Sequence, residues 1–239
     1  MTKDVQQVYS TSFAFAAVKR DGSVTTWGYR AAGGDCYHVE HRLLRLRIGV
    51  PAAELKGGVQ HIYSTSAAFA AVKDDGSVLT WGKPEKGADS SAVREQLREG
   101  VKQIFSTDSA FAALKGDGSV TTWGNPVAGG DCGPEGDAVL FSLLRGGVKH
   151  IYSNTWAFAA VKDDGSVVTW GNPPRGGDSS AVREQLREGV KQIFSTSRAF
   201  AALKDDGTVV TWGMTEAGFD RADVQEELHK NASETFLQH

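Results

Sequence analysis

Only two cysteines, Cys36 and Cys132, occur in the 239 residues, so no disulfide framework holds this fold together. The two fall at equivalent places in non-neighbouring copies of the repeat described below, and both are expected to stay free thiols. Six prolines and 28 glycines exclude collagen-like or proline-rich chains. No stretch approaches the ~18 uninterrupted apolar residues of a membrane-spanning helix, so no direct membrane insertion is expected. The start, Met1-Thr-Lys-Asp-Val, lacks the apolar run of a secretory leader, and a reducing cytoplasmic or organellar compartment is the expectation. Charge of one sign is also missing: a net −3 and a pI near 6.1 leave no general basic field, which sets nucleic acid aside as a partner. What remains is 40% hydrophobic and 23% charged, the composition of a globular chain long enough for two average domains or one large all-β domain.

Repetition dominates. Asp89–Thr107 and Asp178–Thr196 carry the same nineteen letters, DSSAVREQLREGVKQIFST, and a 24-residue unit occurs five times. The copies span residues 5–28, 59–82, 101–124, 148–171 and 190–213. Their closing tryptophans, Trp27, Trp81, Trp123, Trp170 and Trp212, are spaced by 54, 42, 47 and 42 residues. The unit never changes length, so every insertion lies in a connection.

Each copy reads as three strands. VKQIF stops at a Ser-Thr cluster, AFAALK runs to Asp-Gly, and SVTTWG leads away from it. The Asp-Gly pairs predict two-residue hairpins whose central positions have positive φ. Between copies, Asp-Ser-Ser caps AVREQLRE, a linker helix of two to three turns with Val93 and Leu97 on one face. Such a helix is marginal alone and is expected to pack on the strands. One three-stranded unit buries too little by itself, so the five must stack or close. The last copy passes into Asp223–Lys230, another linker helix, and residues 5–10 offer the strand it should lead to. The expected fold is an all-β, five-bladed β-propeller of three-stranded blades with short linker helices, closed by the N-terminal strand. It forms a single domain with a C-terminal tail at 231–239. An open superhelical stack is the alternative.

The pattern V-x-x-I followed by A-x-x-x-D-G-S-V-x-T-W-G through residues 5–213 resembles the repeats of the regulator of chromosome condensation family. It is also similar to the propeller-type β-lactamase inhibitor proteins. The resemblance implies a β-propeller used for protein recognition and, for the first family, guanine-nucleotide exchange on a small GTPase. Where that family carries Gly-Gln-Leu-Gly after Trp-Gly, this chain has Gly-Gly-Asp-Ser-Ser.

Comparison of the copies separates frame from candidate site. The Val/Ile, Phe-Ala-Ala and Trp positions hardly vary and are core posts. Variation concentrates before Ala-Phe-Ala-Ala, at Phe13, Ala67, Ser109, Trp156 and Arg198, and after Trp-Gly, at Tyr29, Arg30, Lys83, Glu85, Lys86, Arg175 and Met214. If the first strand runs up, both sets fall on one rim and the Asp-Gly hairpins on the other. That rim is the expected docking face for another protein or a multi-subunit assembly, in a non-catalytic scaffold, inhibitor or assembly subunit. A lectin-like binder of small ligands is a further alternative, although repeated ligands call for repeated pocket residues and this rim differs from copy to copy.

The first and third linkers are more apolar than the duplicated pair. Their Leu43, Leu44, Leu46, Phe141 and Leu144 either pack inward or form an edge contact with another subunit. Chemistry-bearing motifs are scarce. Cys36, His38 and His41 have metal-like spacing but form one short cluster without a clear fourth ligand, absent from the sister linker at Cys132, and neither a metal nor a cofactor is expected. His61 and His150 replace a repeat Gln, the Gly-Gly-Asp stretches lack the Lys of a phosphate loop, and Asn231-Ala-Ser233 is an acceptor only in a secreted protein. No catalytic residues are expected.

Overall fold

A computed structural model describes residues 4–35, 54–131 and 138–214. Fifteen strands form five three-stranded antiparallel sheets, each a simple meander in chain order. The first holds β1 (Val5–Ser10), β2 (Ala14–Lys19) and β3 (Val24–Gly28). The second holds β4 (Val59–Ser64), β5 (Ala68–Lys73) and β6 (Val78–Gly82), and the third β7 (Val101–Ser106), β8 (Ala110–Lys115) and β9 (Val120–Gly124). The fourth comprises β10 (Val148–Ser153), β11 (Ala157–Lys162) and β12 (Val167–Gly171), and the fifth β13 (Val190–Ser195), β14 (Ala199–Lys204) and β15 (Val209–Gly213). The chain divides at Gly146/Gly147 into two compact units, one with the first three sheets and one with the last two.

A bulge explains the V-x-x-I spacing. Strict alternation would put Val101 and Gln103 on one face. The register slips between them, so Val101 and Ile104 are buried while Lys102 and Gln103 face water. The same slip recurs in every first strand.

Each sheet has a large face and a small one. In β8 and β9, Phe111 pairs with Trp123 and their rings stack at 5.2 Å. That face, with Ile104 and Ala113, packs on Ala68, Ala70 and Val72 of the sheet before it. The same small-on-large core joins the first sheet to the second and, within the other unit, the fourth to the fifth. Flat alanine faces let neighbouring sheets approach closely enough for the aromatic rings to fill the gap.

Two local expectations change. The Asp-Gly hairpins have three loop residues: Lys115 N–H bonds the Ser119 carbonyl at 2.9 Å, and Gly118 N–H bonds that of Lys115 at 3.1 Å. Gly118 takes φ +78°, whereas Asp117 keeps negative φ and accepts the Ser119 N–H at 2.9 Å. This is a type I turn with a glycine bulge, so only the glycine needs left-handed backbone. The duplicated linkers, expected as helices of two to three turns, are 3-10 turns at Ser91–Val93 and Ser180–Leu186, the latter kinked at Val182. A sustained ladder is interrupted because the segment must also hand the Leu97 carbonyl to Val78 N–H at 2.9 Å. Packing follows expectation: Leu97 is buried and Val93 half-buried against the strands. The described α-helix is α1, Ala138–Leu143.

Strand β1 pairs with β2 in its own sheet, and the last sheet runs β13-β14-β15. Closure by the N-terminal strand is therefore carried by no strand pairing among the described residues. Leu144 is buried and Phe141 half-buried, so Leu144 belongs to the interior and offers no edge surface. Leu43, Leu44, Leu46, the cysteines, His38, His41 and the tail lie outside the described residues.

Candidate partner-binding end

The turn from first to second strand and the exit of the third strand meet at the same end of every sheet. A repeated main-chain bond holds them: Tyr29 N–H to Phe13 O at 2.8 Å, Lys83 to Ala67 at 2.9 Å, Asn125 to Ser109 at 2.9 Å, Asn172 to Trp156 at 3.0 Å and Met214 to Arg198 at 3.0 Å. Both variable sets therefore share one end of each sheet, as the topology implied, with the hairpins at the other. A residue that sequence reading passed over fastens the turn. Thr65 Oγ1 accepts the Ala68 N–H and donates to Lys86 O at 2.9 Å, and Asn154 does the same with Ala157 N–H and Arg175 O at 2.8 Å. The Ser-Thr cluster that marks a strand stop is the signal for it: such side chains bond backbone two or three residues on.

In the first unit the turns join in a row, Ser12 N–H to Ser66 O and Ser66 N–H to Asp108 O, both at 3.0 Å. Along that row Phe13 and Tyr29 are 59% and 64% exposed and meet edge to face at 6.4 Å. Ala67 is buried and offers nothing to a partner. Lys86 reaches across to Asp108 and Ser109 of the next sheet. Burial pushes the Asp108 carboxyl up, but the Lys86 ammonium and the Ser109 hydroxyl outweigh it and hold it below its ordinary value. Lys86 is thus a tie between sheets. Lys83 and Glu85 pair with each other at 3.0 Å, and Arg30 with Asp35 at 2.8 Å, both on the surface. In the second unit Arg175 lies 4.1 Å over the Trp156 ring, which is half-buried, and exposed Arg198 reaches the Met214 sulfur at 3.9 Å.

The hairpin end is uniform and bonded. Gly22, Gly76 and Gly165 carbonyls each accept, at 3.1 Å, the N–H of the valine opening the next sheet. Each hairpin Asp is held below its ordinary value by bonds from the residue two positions on. Among the described residues no three His, Cys, Asp or Glu side chains converge as a metal site. No helix of the described residues is long and apolar enough to cross a membrane.

No family model and no curated protein matches the chain. Solved structures do. Human WBSCR16 superposes with a TM-score of 0.51 at 17% identity over 87% of this chain and 61% of its own. Yeast RCC1 (Prp20), solved bound to Kap60, gives 0.53 at 17% identity over 89% of this chain and 56% of its own. The five sheets are β-propeller blades. The chain spans less than two thirds of either structure, and at this identity the likeness is one of fold.

Proposed function

We propose that this chain is a non-catalytic protein-binding propeller that docks its partner on the variable blade ends. The supporting observation is the contrast between the two ends of the same sheets. At one, main-chain bonds fix the turns while the side chains differ, with Phe13, Tyr29, Arg198 and the Arg175-capped Trp156 in contact with solvent. At the other, the Asp side chains are used up in bonding their own hairpins and glycine carbonyls in joining sheets. Loops on a rigid frame carrying aromatic and arginine side chains are the usual anchors of protein interfaces. Yeast RCC1 in its complex with Kap60 is a protein of this fold bound to another protein. The reading places the chain in a reducing intracellular compartment.

Affinity capture from the native source, with quantified recovery, tests it. Phe13→Ser with Tyr29→Ser, and separately Trp156→Ala with Arg198→Ala, are expected to lose partner recovery, while the hairpin variant Asp117→Asn keeps it. Unchanged recovery by both rim variants refutes the rim as docking face. Exchange activity, which the family resemblance implies, separates by a nucleotide-release assay on the captured GTPase: acceleration replaces the passive binder by an exchange factor.

A further inference from the structure

Two sheet faces lie open on residues that are closed wherever else they occur. In the first sheet Val8, Phe15 and Trp27 are 52%, 44% and 45% exposed. The residues at these three places in the other four sheets are none more than 3% exposed. In the last sheet it is the small face that opens: Ala199 and Ala201 are only half-buried and Phe194 is 53% exposed. The alanines at their places in the other sheets are at most 1% exposed.

The molecule itself shows what fits such faces. In each of its three resolved sheet-to-sheet cores, the small face of one sheet covers the Val/Ile, Phe and Trp face of the next. The join is completed by a glycine six residues after the covering sheet's tryptophan. Gly87 leaves no room for a Cβ against the Phe111 ring and its carbonyl accepts the Trp123 indole N–H at 2.9 Å. Gly176 does the same for Phe200 and Trp212, at 3.0 Å. The fifth copy keeps that glycine in its sequence, as Gly218.

We infer that the chain self-associates head to tail: the small face of β13–β15 of one copy packs on the Val8, Phe15 and Trp27 face of a second copy. A second copy is the occupant because it brings the side-chain set that this face type meets at the three joins within the two units, and each copy carries one face of each kind. Exposed as they are, three large apolar side chains on one face are a surface that water disfavours and a matching sheet removes. The contact is heterologous, so it closes or extends according to the rotation between copies. It uses neither Phe13, Trp156 nor Arg198, and stands or falls independently of the rim.

Light scattering across a dilution series tests it. The wild type is expected to show multiples of the 25.5 kDa chain that fall towards one chain on dilution. Trp27→Ala and Phe194→Asp should each weaken association by about a hundredfold. Val8→Asp serves in place of Trp27→Ala if that variant loses its far-ultraviolet dichroism. Mixing Trp27→Ala with Phe194→Asp is the decisive arm. Each supplies the face that the other lacks, so the mixture should form a complex of two chains that grows no further. A wild type of one-chain mass at every concentration overturns the inference, whether or not acrylamide quenching then finds Trp27 covered by the chain's own last sheet. A mixture that stays at one-chain mass overturns it too.

Discussion

Trp27 and Trp123 stand in identical hexapeptides, Ser-Val-Thr-Thr-Trp-Gly, at the same register of equivalent strands in the same compact unit. Replacing each by alanine removes the same atoms and perturbs the unfolded chain alike, so the difference between the two losses reports burial alone. Trp123 is 3% exposed, stacks on Phe111 and donates its N–H to Gly87 O. Burying about 200 Å² of indole at ~25 cal/mol per Å² gives an upper bound near 5 kcal/mol, within the ~3–5 kcal/mol of measured truncations. The orphaned Gly87 carbonyl adds about 1 kcal/mol. Trp27 keeps nearly half its surface wet, so its truncation should cost about 2 kcal/mol in solutions dilute enough to hold single chains. The gap of roughly 3 kcal/mol corresponds to some 6–12 °C in the midpoint for a unit of this size. Urea unfolding followed by far-ultraviolet dichroism measures it directly. Equal losses for the two variants would refute the assignment of an open face to the first sheet.

Gly87→Ala combines φ +99° with a Cβ 2.6 Å from the Phe111 ring and should cost about 2–3 kcal/mol in urea midpoint analysis, whereas Gly207→Ala, at φ +83° with nothing within 4 Å, should cost about 1. Arg175→Ala removes the cation over Trp156 and should cost about 0.5–1 kcal/mol, with a shift in indole emission. His61 and His150 are held below their ordinary value by burial, so their folded forms bind fewer protons than the unfolded chain. The stability they contribute is complete above about pH 6.5 and is lost as pH falls through the lowered folded value; His61→Gln with His150→Gln, the residue other copies use, should flatten that limb of a stability–pH curve. The hairpin Asp carboxyls are likewise depressed, by the hydroxyl and N–H bonds of the residue two positions on, so their contribution is present above about pH 4 and disappears below it; Asp117→Asn should shallow the acid limb.

The five-fold frame was legible because each copy restates it. Alternation, Phe-Ala-Ala and the closing Trp identify three strands, and V-x-x-I already contains the bulge for a reader who asks why two core residues sit three apart. The linkers misled because AVREQLRE has helical spacing, and spacing does not reveal that Leu97 must surrender its carbonyl to the neighbouring strand. Asp-Gly signals a hairpin without fixing its loop length, which depends on the aspartate bonding forward to residue 119 in the third copy. At the candidate site, the shared end of both variable sets follows from strand order alone. The pairing of Trp156 with Arg175 and the diversion of Lys86 to Asp108 do not, since both arise between segments whose separation in sequence carries no periodic mark.

The copies differ at one end for a reason that bears on the binding proposal. At the hairpins the residues themselves make the bonds, an Asp oxygen to an N–H and a glycine against the next sheet's backbone, so substitution there breaks a joint. At the other end the joints are main chain to main chain or made by Thr and Asn, with Lys86 adding a tie to Asp108 and Ser109, and positions 13 and 67 carry no hydrogen-bonding duty through their side chains. Freedom from duty explains why they vary; it does not explain why a free position holds an exposed phenylalanine beside an exposed tyrosine, a pair that polar residues would replace with less apolar surface in water. Phe13→Ser with Tyr29→Ser should therefore leave the urea midpoint within about 0.5 kcal/mol of the parent while abolishing partner recovery. A loss of stability above about 2 kcal/mol would make the pair part of the frame and leave the first blade without an anchor.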